Sequence, residues 1–184
     1  MKKIILCCLL LSTILAANAG KSYFSKFSGP YLGQKPTGTD SLSGQSTTGV
    51  PLMLTYVANM GVMVSSGDFK VLIDGLFDKP SQYYRVPSPD TLKAVMKGEA
   101  PFDGIDLVLF THKHSDHFDA ALAVRYMEAR PEPILVAPSD AVEAMRKAAY
   151  DWSRIEPRLV PIDLKVGKNV KREVACIPLT VVRT

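Results

Sequence analysis

Hydrophobic residues after residue 50 form short runs of a length typical of β-strands, separated by stretches with helical spacing. The predicted strands cover residues 52–58, 62–65, 70–74, 105–110 and 134–137. The turn residues Ser66-Gly67-Asp68 join the second and third of these strands as a hairpin. Because Val71, Leu72 and Ile73 are consecutive apolar residues, we expect the third strand to be covered on both faces.

Two helices are predicted from their end signals. The first runs from Asp90 to Lys97 and ends at Gly98, a residue that favours helix C-termini. The second follows Asp119, a residue type that caps helix N-termini, and stops before Pro131. Its apolar stripe is formed by Leu122, Tyr126 and Met127.

A third helix and a strand-rich tail complete the pattern. Ser139 is predicted to cap a helix that continues to about Tyr150. Residues 158–184 predict two or three strands around a turn at Val166-Gly167-Lys168. Strands interleaved with helices are typical of an α/β domain.

The first 50 residues differ in character from the rest of the chain. Lys2 and Lys3 precede an apolar run and the sequence Ala17-Asn18-Ala19, which together predict a signal peptide over residues 1–19. The alternative is an uncleaved anchor, but the run is shorter than the roughly 20 residues that span a bilayer. Residues 20–50 are rich in Gly, Ser, Thr and Pro and predict a flexible lead-in. We therefore expect an exported protein, periplasmic or secreted, with its folded domain over residues 51–184.

Charge and cysteine content narrow the functional classes. The formal net charge is +4, and removal of Lys2 and Lys3 with the signal peptide lowers it to +2. Such a small charge argues against a nucleic-acid partner or an anionic membrane surface, and no later stretch is apolar enough for a stable membrane span. Loss of Cys7 and Cys8 leaves Cys176, so an intramolecular disulfide is excluded. The domain must be held together by its core or by a metal.

All three histidines lie within six residues, in the sequence His112-Lys113-His114-Ser115-Asp116-His117. Neutral imidazole and carboxylate groups suit zinc and similar divalent ions. In an extended segment, His112 and His114 project to the same side and can bind one ion, whereas Asp116 and His117 lie where the chain turns and can reach a second. The motif follows a buried strand, at the edge where α/β sheets bind ligands. The alternative is a polar surface loop with no metal role.

The stretch Phe110 to Asp119 resembles the H-x-H-x-D-H signature of the metallo-β-lactamase superfamily. Upstream, Val71 to Gly75 is similar to the strand that carries the first motif aspartate of that family. The resemblance implies an α/β (α+β) fold, an αβ/βα four-layer sandwich with metals at one edge of its two sheets. It also implies hydrolysis of an ester, amide, thioester or phosphodiester by a hydroxide held between two metal ions. Zinc is expected, with iron or manganese possible alternatives.

The resemblance also implies a role for individual residues. His112 and His114 match ligands of the first metal, and Asp116 and His117 match ligands of the second. Asp116 would in addition orient the hydroxide, which makes it the expected catalytic residue. Asp74 matches an aspartate that braces the ligands from behind, and the alternative is an aspartate that simply accepts hydrogen bonds from turn amides.

The family pattern also requires a third histidine for the first metal, a bridging aspartate and a final histidine, and no histidine follows His117. Cys176 is either a thiolate ligand or a buried strand residue, and the usual state of free cysteine favours the second. We therefore expect an N-terminal portion of the sandwich, with the remaining ligands beyond Thr184 and little hydrolysis by this chain alone. The predicted function is an exported metal-dependent hydrolase of small-molecule substrates. The alternative is a non-catalytic metal-binding pseudo-enzyme domain.

Overall fold

The computed structural model describes residues 51–67 and 69–183. The predicted signal peptide and lead-in lie outside the described residues, as does Asp68, the last residue of the predicted hairpin turn. The strands are β1 (Met53–Ala58), β2 (Gly61–Ser66), β3 (Phe69–Ile73), β4 (Leu107–Leu109), β5 (Ile134–Pro138), β6 (Leu159–Ile162), β7 (Asn169–Val174) and β8 (Ile177–Val182). The helices are α1 (Pro89–Lys97), α2 (Ala120–Ala129) and α3 (Ser139–Ala148), with single 3-10 turns at Trp152–Arg154 and Glu156–Arg158. No helix in this part of the chain is long and apolar enough to cross a membrane.

Six strands form one mixed sheet in the order β1-β2-β3-β4-β5-β6. The first three pair antiparallel as a meander, whereas β3, β4, β5 and β6 pair in parallel. Parallel neighbours need long crossover connections, and α1, α2 and α3 supply them. Strands β7 and β8 form a separate antiparallel hairpin. The mixed α/β class predicted from the sequence is confirmed.

The two faces of the six-stranded sheet pack against different partners. Leu72 and Val108 lie in a core shared with the helices, whereas Val71 and Leu107 lie in a second core with residues of the β7–β8 hairpin. This alternation follows from the pleat, which sends successive side chains to opposite faces. The predicted coverage of β3 on both faces is therefore confirmed. The described residues form three layers, namely helices, large sheet and hairpin.

The ends of α1 and α2 follow the sequence signals. Gly98 ends α1 in the left-handed conformation, at φ 64°. The Asp119 carboxylate caps α2 by accepting a hydrogen bond from the Leu122 amide at 2.8 Å. Leu122, Tyr126 and Met127 are buried, as their spacing predicts.

The predicted Ser139 cap is wrong. Helix α3 begins at Ser139 itself, with Pro138 in the capping position and no side-chain capping bond. The Ser139 hydroxyl instead donates to the Asp163 carboxylate at 2.7 Å. Asp163 follows β6, the parallel neighbour of β5, so the sheet brings a charged acceptor beside Ser139 from 24 residues away. The helix also ends at Ala148, two residues earlier than predicted.

The preferred assignment of Cys176 to a buried strand is also wrong. Ala175 and Cys176 form the exposed two-residue turn of the β7–β8 hairpin, with Val174 paired to Ile177. Both turn residues have positive φ, 52° and 60°, which matches the right-handed twist of the flanking strands. The apolar stretch around Cys176 is thus interrupted by a turn that contains no glycine, proline or asparagine.

Candidate metal centre

The carboxyl ends of two neighbouring parallel strands position the candidate site. Asp74 follows β3, and residues 111–119, which we call the histidine loop, follow β4. The Asp74 amide donates to the Leu109 carbonyl at 2.9 Å, and Leu76 forms a bridge with Phe118. The segment after β3 and the histidine loop therefore run side by side at the edge where α/β sheets place their ligands.

Asp74 is the central acceptor of the site. It is 2% exposed and adopts a left-handed backbone conformation, at φ 48°. Its Oδ1 accepts the Thr111 amide at 2.8 Å, and its Oδ2 accepts the Thr111 hydroxyl at 2.6 Å and His117 Nδ1 at 2.8 Å. Asp74 thus contacts a histidine ring and a backbone amide, and this amide lies 37 residues away rather than in the turn that follows β3. Such an uncommon backbone conformation at a buried polar residue is typical of functional sites.

These hydrogen bonds determine which ring nitrogens remain free. A carboxylate only accepts, so His117 Nδ1 carries the hydrogen and Nε2 keeps its lone pair. The Thr111 hydroxyl donates to Asp74, which leaves its oxygen to accept from His112 Nδ1 at 3.0 Å. Both rings are then held in the tautomer that offers Nε2 as a ligand, the arrangement typical of metal-binding histidines.

Three side chains of the histidine loop converge. His112, Asp116 and His117 each offer a ligand atom, and these atoms all lie within 4.8 Å of one another. His117 Nε2 is 3.5 Å from the Asp116 carboxylate. The assignment of His112 with His114 to one ion, and of Asp116 with His117 to another, stays a prediction. His114 is exposed and outside the convergent group, although its ring centroid is 4.6 Å from that of His112.

A family model described as the beta-lactamase superfamily domain matches residues 70–183, which include β4 to β8, all of β3 except Phe69, and all four candidate ligands. The chain belongs to this superfamily. The family resemblance and the fold class proposed from the sequence are therefore confirmed. No curated protein matches the chain.

Membership of the beta-lactamase superfamily fits the chemistry of the site. Members of the superfamily are mostly metal-dependent hydrolytic enzymes, and the convergent group consists of the imidazole and carboxylate ligands that divalent ions use. Partial burial, followed by the neighbouring His117 and His114 rings, lowers the pKa of His112. A lowered pKa favours the neutral imidazole, which is the form that binds a metal. The residues present therefore fit a bound divalent ion.

The start of α2 anchors the far end of the histidine loop. Burial acts to raise the pKa of Asp119, but the Lys79 ammonium and the Leu122 amide outweigh it and hold that pKa below its ordinary value. Lys79 Nζ lies 2.9 Å from the Asp119 carboxylate, whose own amide donates to the Leu76 carbonyl at 2.9 Å. The charged cap fixes the point at which the loop becomes helix.

Several residues that support the candidate ligands were not predicted from the sequence. Thr111 immediately precedes His112, and its small hydroxyl side chain at that position could have suggested a bond behind the ligands. Asn59 donates to the Asp116 carbonyl at 3.1 Å, and the Tyr84 hydroxyl bonds Ser115 at 3.0 Å. Neither contact has a local signal, since the partners are 57 and 31 residues apart.

An apolar cleft of about 240 Å³ borders the site on the hairpin side. Thr111, Val136 and Leu179 are among its lining residues, so it runs between the large sheet and β8. Thr111 belongs both to the cleft and to the hydrogen-bonded chain behind His112. The cleft therefore begins next to the candidate ligands.

Proposed function

We propose that this chain is an exported metal-dependent hydrolase whose histidine loop supplies metal ligands. The observation that carries the proposal is the convergence of His112, Asp116 and His117, with His117 Nδ1 bonded to buried Asp74. A buried carboxylate that orients a histidine ring is characteristic of metal ligands rather than of a merely polar loop. The superfamily to which the chain belongs supports hydrolysis as the reaction.

The residues of the site have different roles in the proposed reaction. Asp74 and Thr111 hold the His117 and His112 rings with Nε2 outward. When bound, a divalent ion supplies Lewis acidity and makes water a nucleophile near neutral pH. The Asp116 side chain, 34% exposed beside His117, can accept a hydrogen bond from an attacking water and orient it. We therefore propose Asp116 as both ligand and catalytic residue.

Zinc is the proposed metal, with iron or manganese as alternatives, because histidine and carboxylate ligands suit all three ions. Two ions are proposed from the family resemblance. His114 is the ligand offered to the second position, since its ring lies beside that of His112 but outside the convergent group. The histidine loop thus supplies ligands to two neighbouring positions.

The proposed substrates are small molecules with an ester, amide, thioester or phosphodiester bond. The apolar cleft beside Thr111 supports this proposal, since its volume of about 240 Å³ suits a small apolar group. Export to the periplasm or the medium is proposed from the charged and apolar N-terminal sequence and its A-x-A site.

The proposal is tested by measuring first the metal content of the protein and then its hydrolytic activity. The purified 184-residue chain is dialysed against metal-free buffer and then analysed for zinc, iron and manganese. We expect the wild type to retain metal, and also Lys113→Ala, a matched control in the same loop. In His112→Ala we expect the affinity for the metal to fall at least ten-fold. The protein is also loaded with zinc, and the unbound excess is dialysed away. If the wild type still retains none of these ions, the proposal is contradicted.

Activity separates the enzyme from the non-catalytic alternative. The same proteins are assayed with nitrophenyl acetate, a thioester and bis-nitrophenyl phosphate. Slow hydrolysis that requires metal and is absent in Asp116→Ala supports the hydrolase. Bound metal without measurable hydrolysis of any of these bonds supports a metal-binding pseudo-enzyme domain instead.

A further inference from the structure

The turn between β1 and β2 reaches the histidine loop from across the sheet. Asn59 lies in this turn, and its side-chain Nδ2 donates to the Asp116 carbonyl at 3.1 Å. The contact is partly buried and joins residues 57 apart in the sequence. It places an amide donor directly on the peptide that links two candidate ligands, Asp116 and His117.

The sheet topology accounts for the approach. Strand β2 runs antiparallel to β3, with Val62 opposite Ile73, so the start of β2 lies beside the end of β3 and beside Asp74. The β1–β2 turn therefore sits at the same sheet edge as the ligands. A turn that contributes no ligand thus contributes a contact to the site.

Two features of the turn itself fit this close approach. Asn59 adopts a positive φ of 40°, a conformation that asparagine tolerates better than most residues. A Cβ added at Gly61 would lie 2.8 Å from the Asp74 carbonyl oxygen and 3.0 Å from that of Ala58. Gly61 therefore lets the turn pack against the Asp74 backbone, and this packing brings Asn59 within reach of the loop.

The contact acts at the least restrained of the three convergent ligands. The His117 ring is held by Asp74 and the His112 ring by Thr111, whereas the Asp116 side chain is 34% exposed. The direction of the Asp116 carboxylate depends on its own backbone, and the Asn59 amide fixes the carbonyl of that backbone. Ligands must be held within about 0.5 Å of their working geometry, so a bond at this carbonyl affects binding.

We propose that Asn59 is a positioning residue for the metal site, one that holds Asp116 through its backbone and touches neither metal nor substrate. The inference rests on the proposed metal site and extends it to a residue outside the histidine loop. Removal of contacts behind metal ligands weakens binding by about 10–100-fold. Because this contact acts on one ligand of three, we expect the lower end of that range.

The test compares Asn59→Gly with Met60→Ala in the full chain. Glycine keeps the positive φ of the turn and deletes only the amide, while Met60 is a neighbouring exposed side chain in the same turn. Zinc dissociation constants are measured at 25 °C by competition with a chelator, and unfolding of the metal-free proteins is followed in parallel. We expect about ten-fold weaker zinc binding in Asn59→Gly and no change in Met60→Ala.

A second measurement needs no metal. Hydrogen–deuterium exchange of the metal-free protein is measured over the peptides that contain residues 114–118. The His117 and Phe118 amides both donate to the His114 carbonyl, so a loosened loop exposes them. We expect faster exchange there in Asn59→Gly than in the wild type or Met60→Ala.

The outcomes separate the two proposals. If wild-type protein binds zinc and Asn59→Gly binds it equally well, the positioning role is overturned while the metal site stands. If wild-type protein binds no zinc, the proposed function fails, and unchanged exchange over residues 114–118 in Asn59→Gly overturns the positioning role as well. Lower stability of Asn59→Gly without a change in zinc affinity indicates a merely structural contact and also overturns it.

Discussion

Two halves of the histidine loop have similar chemistry and opposite environments. The inner half, residues 116–119, is held by Asp74, by the Asn59 amide and by the Leu76 carbonyl. The outer half, residues 113–115, is exposed, and its side chains make contacts at the surface, such as Lys113 with Asp140 and Tyr84 with Ser115. His117 and His114 are three residues apart, yet one is buried in a hydrogen-bonded pocket and the other faces solvent.

The difference shows what prepares a histidine to bind a metal. His117 faces the end of β3, where the parallel pairing of β3 and β4 brings Asp74 beside it. Its ring is ordered before any ion arrives, so binding costs little conformational entropy. His114 is exposed beside the His112 ring, so we expect the ion itself to order it. The following predictions test this contrast, beginning with the largest expected effect.

Asp74→Asn should disturb the inner half most. Asparagine has the same size and also tolerates a positive φ, but its NH2 group replaces one carboxylate oxygen. Either the Thr111 amide or the His117 ring then faces a donor instead of an acceptor. We expect a loss of about 3 kcal/mol in the free energy of unfolding, the cost of breaking a buried charged hydrogen-bond network. Urea denaturation of the metal-free protein measures it.

Asp106→Asn is the matched control for this prediction. Asp106 is exposed, and its carboxylate accepts the Lys70 amide at 2.8 Å. We expect a change below about 1 kcal/mol, because solvent replaces the lost bond. Equal losses in the two variants would show that the inner half has no special rigidity.

His117→Ala and His114→Ala should differ in metal affinity. His117 belongs to the convergent group and is oriented by Asp74, whereas His114 is exposed and outside that group. We expect zinc affinity to fall about 100-fold in His117→Ala and about ten-fold or less in His114→Ala. Isothermal titration with zinc decides this, and a larger loss in His114→Ala would reverse the comparison.

Asp119→Ala tests the end of the inner half. The variant removes the cap of α2 and its contact with Lys79, and we expect a loss of about 1 kcal/mol at neutral pH. Asp90→Ala, in the exposed first turn of α1, is the control and should change stability less.

The Asp119 effect should also depend on pH in one direction. The folded-state pKa of Asp119 lies below its ordinary value of 3.8, so its ionised form stabilises the fold. This contribution is fully present above the unfolded-state pKa and is lost as the pH falls through the folded-state pKa. The stability gap between wild type and Asp119→Ala should therefore be constant above about pH 5 and narrow toward pH 2. A gap that widens on acidification would contradict the assignment.

Local patterns predicted the elements and failed where distant groups intervene. Three adjacent apolar residues predicted that β3 is covered on both faces, and Asp119 predicted the start of α2. The prediction that Ser139 caps α3 was wrong because its hydroxyl binds Asp163, which the pairing of β5 with β6 brings near. The prediction that Cys176 is a buried strand residue was wrong because a tight hairpin turn with two positive-φ residues interrupts the apolar stretch around it.

The sequence by itself determined the family, the α/β class and the presence of a histidine-rich loop after a buried strand, because each depends on residues adjacent in the chain. Tertiary structure decided how the loop works. It brought Asp74 into contact with His117, although the two are 43 residues apart in the sequence. It likewise brought Asn59 to the Asp116 carbonyl, 57 residues away in the sequence. It also brought His112 together with Asp116 and His117, from which the exposed residues 113–115 separate it in the sequence. The physical reason is that strand pairing, which no local pattern encodes, sets which side chains meet at the sheet edge.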